Sequence, residues 1–302
     1  MTPEQIANRE SKFALKLVDS AAKQFTMGEP VDIGDGFDIK PISTKFDSYY
    51  YHSDTAKTKI CLHFTVGVLP GDISTLTKEN NHMSVQYVVD GLGNTYSLFD
   101  DKFWSYHLGA NAVGGNSDMS KQSIGIEISN YGPLVAKDGK FLDAYGNVYT
   151  TDLDFVDEIN YRGYYYYAKM TDRQIDAVAH LVVYLCQKHV IPINFKSDGE
   201  VFKSAKDALA FTGIFCHSNV RKDKFDLPPE TMQKIIDRIE ELCNPKVEEP
   251  VQESEPEPEA EPVQEPEKVE APVAEQEEPK PVETKPMTFW QKLLLFLRCA
   301  FE

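Results

Sequence analysis

Two short segments constrain the fold more than anything else in this chain of 302 residues. In Ile60-Cys61-Leu62-His63-Phe64-Thr65, the apolar Ile60, Leu62 and Phe64 alternate with Cys61, His63 and Thr65. In Ser123-Ile124-Gly125-Ile126-Glu127-Ile128-Ser129, isoleucines alternate with Ser123, Gly125, Glu127 and Ser129. Alternation with a period of two marks a pleated strand with one buried face. Each strand then carries one ionisable group, His63 or Glu127, on the face opposite its apolar set. Two such strands predict a sheet with helices behind it and a cleft in front. Gly125, beside Glu127, reads as room for a ligand to approach.

A third segment is a polar loop. Cys216-His217-Ser218-Asn219-Val220 runs through Lys224-Phe225-Asp226 to Leu227-Pro228-Pro229, and helical periodicity resumes at Glu230. His217 and Asp226 stand nine positions apart and can converge on one ion if the loop doubles back. With His63 they form a two-histidine, one-carboxylate set, which suits zinc and leaves a fourth tetrahedral position to water. Lys224 then falls near the open position, and Glu127 is a candidate base beside it. A solvated strand face would explain either strand alone, but it explains the two strands and the histidine loop together less well.

These residues resemble the zinc-dependent N-acetylmuramoyl-L-alanine amidases of the type-2 amidase, or peptidoglycan-recognition, superfamily. Leu62-His63-Phe64-Thr65-Val66-Gly67 is similar to the family's first ligand strand, and Ser123 to Glu127 matches its Ser-Ile-Gly-Ile-Glu strand letter for letter. Cys216 to Val220 and Lys224-Phe225-Asp226 resemble its closing motif, and Trp104-Ser105-Tyr106-His107-Leu108-Gly109 resembles its Trp-His-Ala-Gly segment. Weaker similarity lies in Val85 to Phe99 and Met170 to Asn194, so that the resemblance spans residues 57 to 243.

The resemblance implies an α/β fold, with a mixed central β-sheet flanked by α-helices. It implies hydrolysis of the amide between N-acetylmuramic acid and L-alanine in peptidoglycan, with one Zn2+ per chain held by His63, His217 and Asp226. Glu127 would take the proton of the attacking water and pass it to the leaving amine. Lys224 would stabilise the oxyanion, and His107 would position substrate. The chain departs from the pattern at Asn219, where the family has Asp, and at Leu227-Pro228, where it has Pro-Gly. Val85 or Gln86 falls where some members carry a catalytic tyrosine; members without it use the glutamate matched by Glu127. Pro133 to Lys169, with Tyr161 and Tyr164 to Tyr167, is longer than the family core needs. It reads either as a glycan-stacking wall or as aromatics packing an extra hairpin.

Other features read as structural. A helix from Thr171 to His189 opens on a Thr171/Gln174 capping box and buries Ile175, Val178, Val182 and Leu185. His180 and His189 belong to that helix, and His52 and His82 receive no role. Five scattered cysteines imply no disulfide framework, and Cys216 reads as a small apolar strand-end residue. Met1 to Ile6 opens a capped helix and lacks the apolar core of a secretory signal, so synthesis in the cytoplasm and action on the wall after release or delivery are expected, as in a phage endolysin.

The end of the chain changes character. Pro245 to Pro286 carries fourteen glutamates against four lysines, a net charge of −10 within a total of −17. Such a stretch cannot bury a core and should be a disordered acidic tether. Met287 to Glu302 reads as an amphipathic helix, with Phe289, Leu293, Phe296, Leu297 and Ala300 on one face. Its uninterrupted apolar run is too short to span a membrane, and peripheral membrane contact through residues 287–302 is preferred to docking on a protein. The expected organisation is an N-terminal helix and lead-in (1–45), a catalytic domain (46–244), a linker (245–286) and the C-terminal helix (287–302). The acidity excludes nucleic acid as an expected partner. Two rivals to an enzyme are a non-catalytic peptidoglycan-binding module and a regulatory protein acting through its C-terminal helix.

Overall fold

The computed structural model describes residues 1–18 and 25–244; the acidic tether and the terminal helix expected at 287–302 lie outside them. Helices α1 (Pro3–Val18), α2 (Gly71–Leu76), α3 (Asn116–Gln122), α4 (Asp172–His189), α5 (Ala205–Ala210) and α6 (Pro229–Cys243) surround the strands. The central sheet contains β1 (Phe25–Met27), β2 (Val31–Gly34), β3 (Phe37–Thr44), β4 (Lys59–Phe64), β5 (Tyr87–Val89), β6 (Thr95–Ser97) and β7 (Ser123–Ile128). A second sheet contains β8 (Pro133–Lys137), β9 (Lys140–Leu142), β10 (Val148–Thr150), β11 (Val156–Tyr161) and β12 (Tyr164–Ala168). Strands β13 (Phe195–Lys196) and β14 (Gly213–Cys216) complete the central one.

The order across the central sheet is β1-β3-β6-β5-β7-β4-β14-β13, with β2 paired to β3. Strands β5, β7, β4, β14 and β13 run parallel, while β6 is antiparallel to β5, so the sheet is mixed, as the resemblance implies. Parallel strands are normally covered on both faces. Strand β4 obeys this, since all six of its residues are buried. Ile60, Leu62 and Phe64 join Ile124, Ile126 and Ile128 in a core closed by α4 and α6, through Val178, Val182, Leu185, Ile235 and Ile239. Cys61 packs on the other face with Leu108, Met119 and Phe215. The alternation seen in the sequence therefore separates two packed layers, and His63 belongs to the second.

The helix expected from Thr171 forms as α4, whose cap is the Thr171 hydroxyl accepting from the Gln174 amide at 3.0 Å. The long stretch from Pro133 to Lys169 builds the antiparallel second sheet, in which Tyr167 is buried, Tyr161 and Tyr164 pack against the main core, and Tyr165 is exposed. Extra-hairpin packing accounts for most of these tyrosines.

Residues before Lys45 supply α1 and three strands to the same body. Phe13 of α1 meets Phe25 and Tyr96 edge-on, at centroid distances of 5.8 and 5.6 Å. Glu10, one turn earlier, is 1% exposed and accepts from the Gly91 amide at 3.2 Å. Burial, then the nearby Asp90 charge, pushes its carboxyl up to about 9. Burial also pushes Asp90 up to about 6, against hydrogen bonds from Asn94 and Tyr96. Asp72 adds further negative charge near Glu10. A carboxyl whose folded pKa lies above its unfolded value contributes stability below the ordinary carboxylate range, and that stability is lost as pH climbs through the folded value. Glu10→Gln keeps an acceptor for Gly91 and removes the titration. Its melting temperature should match the parent near pH 4 and exceed it increasingly toward pH 9 in thermal scans. An offset that does not change with pH would contradict this account of the α1 contact.

Candidate metal centre

The site forms where parallel strands end together. Across β4 and β7, His63 pairs with Glu127; across β14 and β4, Cys216 pairs with Leu62, which puts His217 level with His63 one residue further on. His217, His63 and Glu127 thus stand side by side at the carboxyl ends of three adjacent parallel strands, where α/β sheets typically bind ligands. The loop after β14 doubles back, because the Ser218 amide donates to the Asp226 carbonyl at 3.2 Å. The turn at His217–Asn219 is held by Asn219, whose Oδ1 accepts from the Cys216 amide at 2.7 Å while Nδ2 donates to the Glu200 carbonyl at 2.9 Å. Asp at 219 could accept the first bond but not donate the second.

Three acceptor atoms converge. His63 Nδ1 lies 3.0 Å from His217 Nδ1, and Asp226 Oδ2 lies 3.7 Å from the first and 3.4 Å from the second. The three residues are 1%, 6% and 3% exposed, so water does not compensate them.

Where the ring protons sit follows from the partners of the other nitrogens. The Ser123 hydroxyl donates to the Met119 carbonyl at 2.7 Å, which uses its one hydrogen. Ser123 Oγ, 2.9 Å from His107 Nε2, must therefore accept from that nitrogen. Burial holds both His107 and His63 well below the usual histidine range, so each ring is neutral with one proton. His107 Nδ1 is then a bare acceptor, 3.0 Å from His63 Nε2, which donates to it. That leaves His63 Nδ1 with a lone pair. Independently, His217 Nε2 lies 3.0 Å from the Leu108 carbonyl and donates to it, and in a neutral ring this leaves Nδ1 bare.

Two imidazole lone pairs and a carboxylate oxygen facing one another repel unless a cation lies among them. In a tetrahedral site with bonds near 2.0–2.1 Å, the ligand atoms are about 3.3 Å apart. The observed spread of 3.0 to 3.7 Å brackets that edge. Cys61, His63 and His107 also cluster tightly enough for a metal. That set fits less well: its His63–His107 contact needs a proton between the nitrogens, and burial pushes the Cys61 thiol well up.

Glu127 stands beside this triad with its Oε2 buried and without a hydrogen-bond partner among the described residues. Burial, reinforced by the charges of Asp226 and Asp72, pushes its carboxyl well above the ordinary range, and Lys224 opposes them. An acceptor of raised proton affinity, left bare in a site, is what a general base requires. Lys224 is half-buried, close enough for its charge to act on both Glu127 and His63.

The structure thus brings together His63, His217, Asp226, Glu127 and Lys224. His107, read from the sequence as a substrate contact, has both ring nitrogens engaged by His63 and Ser123. Gly125 serves that packing rather than a ligand's approach, since a Cβ there would lie 2.7 Å from Val85 and 3.3 Å from the His107 ring. Val85 is buried, and the Gln86 side chain is spent on the Gly125 amide and the Phe103 carbonyl, so neither replaces a catalytic tyrosine. Ser123 and the Leu108 carbonyl, which place the protons, carried no signal of that role in the sequence.

Comparison with known proteins adds an independent finding. A family model described as N-acetylmuramoyl-L-alanine amidase matches residues 53–226, more than half of the chain. No curated protein sequence matches it. Among solved structures, the N-acetylmuramyl-L-alanine amidase AmiD from E. coli is 17% identical with a TM-score of 0.40, covering 69% of this chain. The chain spans 65% of that protein's length. The Staphylococcus aureus hydrolase AmiA is 14% identical, with coverage of 68% and 84% and a TM-score of 0.38. The endolysin amidase LysCS from Clostridium intestinale is 14% identical, with coverage of 67% and 95% and a TM-score of 0.38. On the family match, over the residues that carry the convergent site, the chain belongs to the N-acetylmuramoyl-L-alanine amidase family.

Proposed function

We propose that this chain is a zinc amidase that cleaves peptidoglycan between N-acetylmuramic acid and L-alanine, with one ion per chain held by His63, His217 and Asp226. The observation that carries this reading is the convergence of His63 Nδ1, His217 Nδ1 and Asp226 Oδ2, three buried acceptors, with the protons of both imidazoles directed elsewhere. Zinc held there by His63, His217 and Asp226 would supply Lewis acidity to the scissile carbonyl and make water a stronger acid near neutral pH. Glu127 accepts the proton of the attacking water through its unpaired Oε2 and returns it to the departing alanine amine. The Lys224 ammonium faces the charge that builds on the carbonyl oxygen, a contribution of roughly 3 kcal/mol in comparable oxyanion sites. His107 orients a ligand: by accepting from His63 Nε2 it keeps Nδ1 bare, as outer-shell partners do for metal-binding histidines.

Peptidoglycan is the partner this reading requires. We place the chain among lysins that reach the wall after release or delivery. Among the described residues no helix is long and apolar enough to cross a membrane. Peripheral membrane contact through residues 287–302, at the end of the 245–286 tether, completes the proposed organisation and concerns residues outside the described part.

Digesting purified peptidoglycan and analysing the products by mass spectrometry should reveal free stem peptides beginning with L-alanine, which disappear on chelation. Glu127→Gln should bind zinc as the parent does and lose about 100-fold or more in kcat; undiminished wall digestion by this variant would remove Glu127 from the mechanism. His107→Phe, which deletes the acceptor at similar volume, should weaken zinc binding by about 10–100-fold in competition with a chromophoric chelator. Unchanged affinity would show that the His107 contact does not orient His63.

A further inference from the structure

The second sheet, which the amidase resemblance leaves unexplained, reaches the metal centre through one side chain. Strands β11 and β12 join through a two-residue turn, Arg162-Gly163, between the paired Tyr161 and Tyr164. Both turn residues have positive φ, +49° and +89°, as the tight hairpin turns that match strand twist require. This turn aims the Arg162 guanidinium at the loop that carries His217, Lys224 and Asp226. Nη1 donates to the carbonyls of Arg221 (2.7 Å), Lys222 (3.1 Å) and Lys224 (2.5 Å). Nη2 donates to the carbonyls of Ser218 and Gly199, both at 2.9 Å. Tyr161, under the guanidinium at 5.3 Å, also donates its hydroxyl to Gly199, at 2.9 Å.

Four of the five partner carbonyls are spread along the loop from Ser218 to Lys224, and the fifth, Gly199, lies outside it. Ser218 follows the ligand His217 directly, and Lys224 precedes the ligand Asp226 by two residues. A planar fork of charged donors can tie these carbonyls into one closed ring, and a lysine ammonium, a single point of three donors, cannot. Charge-assisted bonds of this kind are also the stronger ones.

We propose that Arg162 is a positioning residue for the metal centre: its guanidinium, presented by the β11–β12 turn, clamps the loop 217–226 in the doubled-back form in which His217 and Asp226 meet His63. Arg162 touches no ligand atom and acts through the backbone it holds. The clamp's effect on zinc rests on the metal reading given above; its effect on the loop does not.

The test uses the full chain as Arg162→Ala and Arg162→Lys, with two readouts. Hydrogen exchange of the metal-free proteins reports the loop directly: in Arg162→Ala, amides within 217–226 should exchange about tenfold faster or more, while β4 and β7 keep parental rates. Chelator competition should show zinc affinity weaker by about tenfold or more in Arg162→Ala, with Arg162→Lys in between. If Arg162→Ala does not fold, Arg162→Lys alone should show both changes at smaller size. Parental exchange in the loop, or faster exchange with parental zinc affinity, overturns the proposal. If the parent itself binds no zinc yet Arg162→Ala loosens the loop, the metal reading fails and the clamp on the loop stands.

Discussion

The structure is organised around a repulsion. Two imidazole nitrogens and a carboxylate oxygen are buried within 3.0 to 3.7 Å of one another, and the hydrogen bonds around them direct each ring proton away from the meeting point. Leaving such groups unpaired in a low-dielectric interior is costly, and a cation among them turns repulsion into coordination. Because the cation would bind the folded chain far better than the unfolded one, binding and folding are thermodynamically linked.

Much of the fold can be read as support for that arrangement. Parallel pairing of β14, β4 and β7 brings His217, His63 and Glu127 level, and burial of both faces of β4 keeps the register from slipping. Around them lies a layer of orienting contacts: Ser123 and Met119 order the protons on His107, His107 orders those on His63, and the Leu108 carbonyl orders those on His217. A further layer, the second sheet with Arg162 at its turn, grips the loop that carries His217 and Asp226. Gly125 shows how tightly these layers fit, since the space a side chain would need there is filled by Val85 and the His107 ring.

The parts of this arrangement legible in the sequence are those with a local period. Alternation in Ile60–Thr65 and Ser123–Ser129 marks the strands and the faces that carry His63 and Glu127, and the Thr171 cap marks the start of α4. The convergence of His217 with Asp226 was readable as a condition, that the loop double back, and the Ser218–Asp226 backbone bond meets it. What stayed hidden depends on register between distant strands. His107 lies 44 residues from His63 in the chain, and nothing local says that the two rings face each other. Arg162 is equally silent: an Arg-Gly pair between tyrosine-rich runs suggests a tight turn, but its partners lie more than thirty residues away.

Anomalous diffraction from crystals of the zinc-loaded protein, recorded on both sides of the zinc edge, tests the convergence most directly. The account predicts one strong anomalous peak per chain, bonded to His63 Nδ1, His217 Nδ1 and Asp226 Oδ2, and its loss in Asp226→Ala. A peak bonded instead to Cys61 and His107, or zinc-loaded protein with no peak at either cluster, would contradict it.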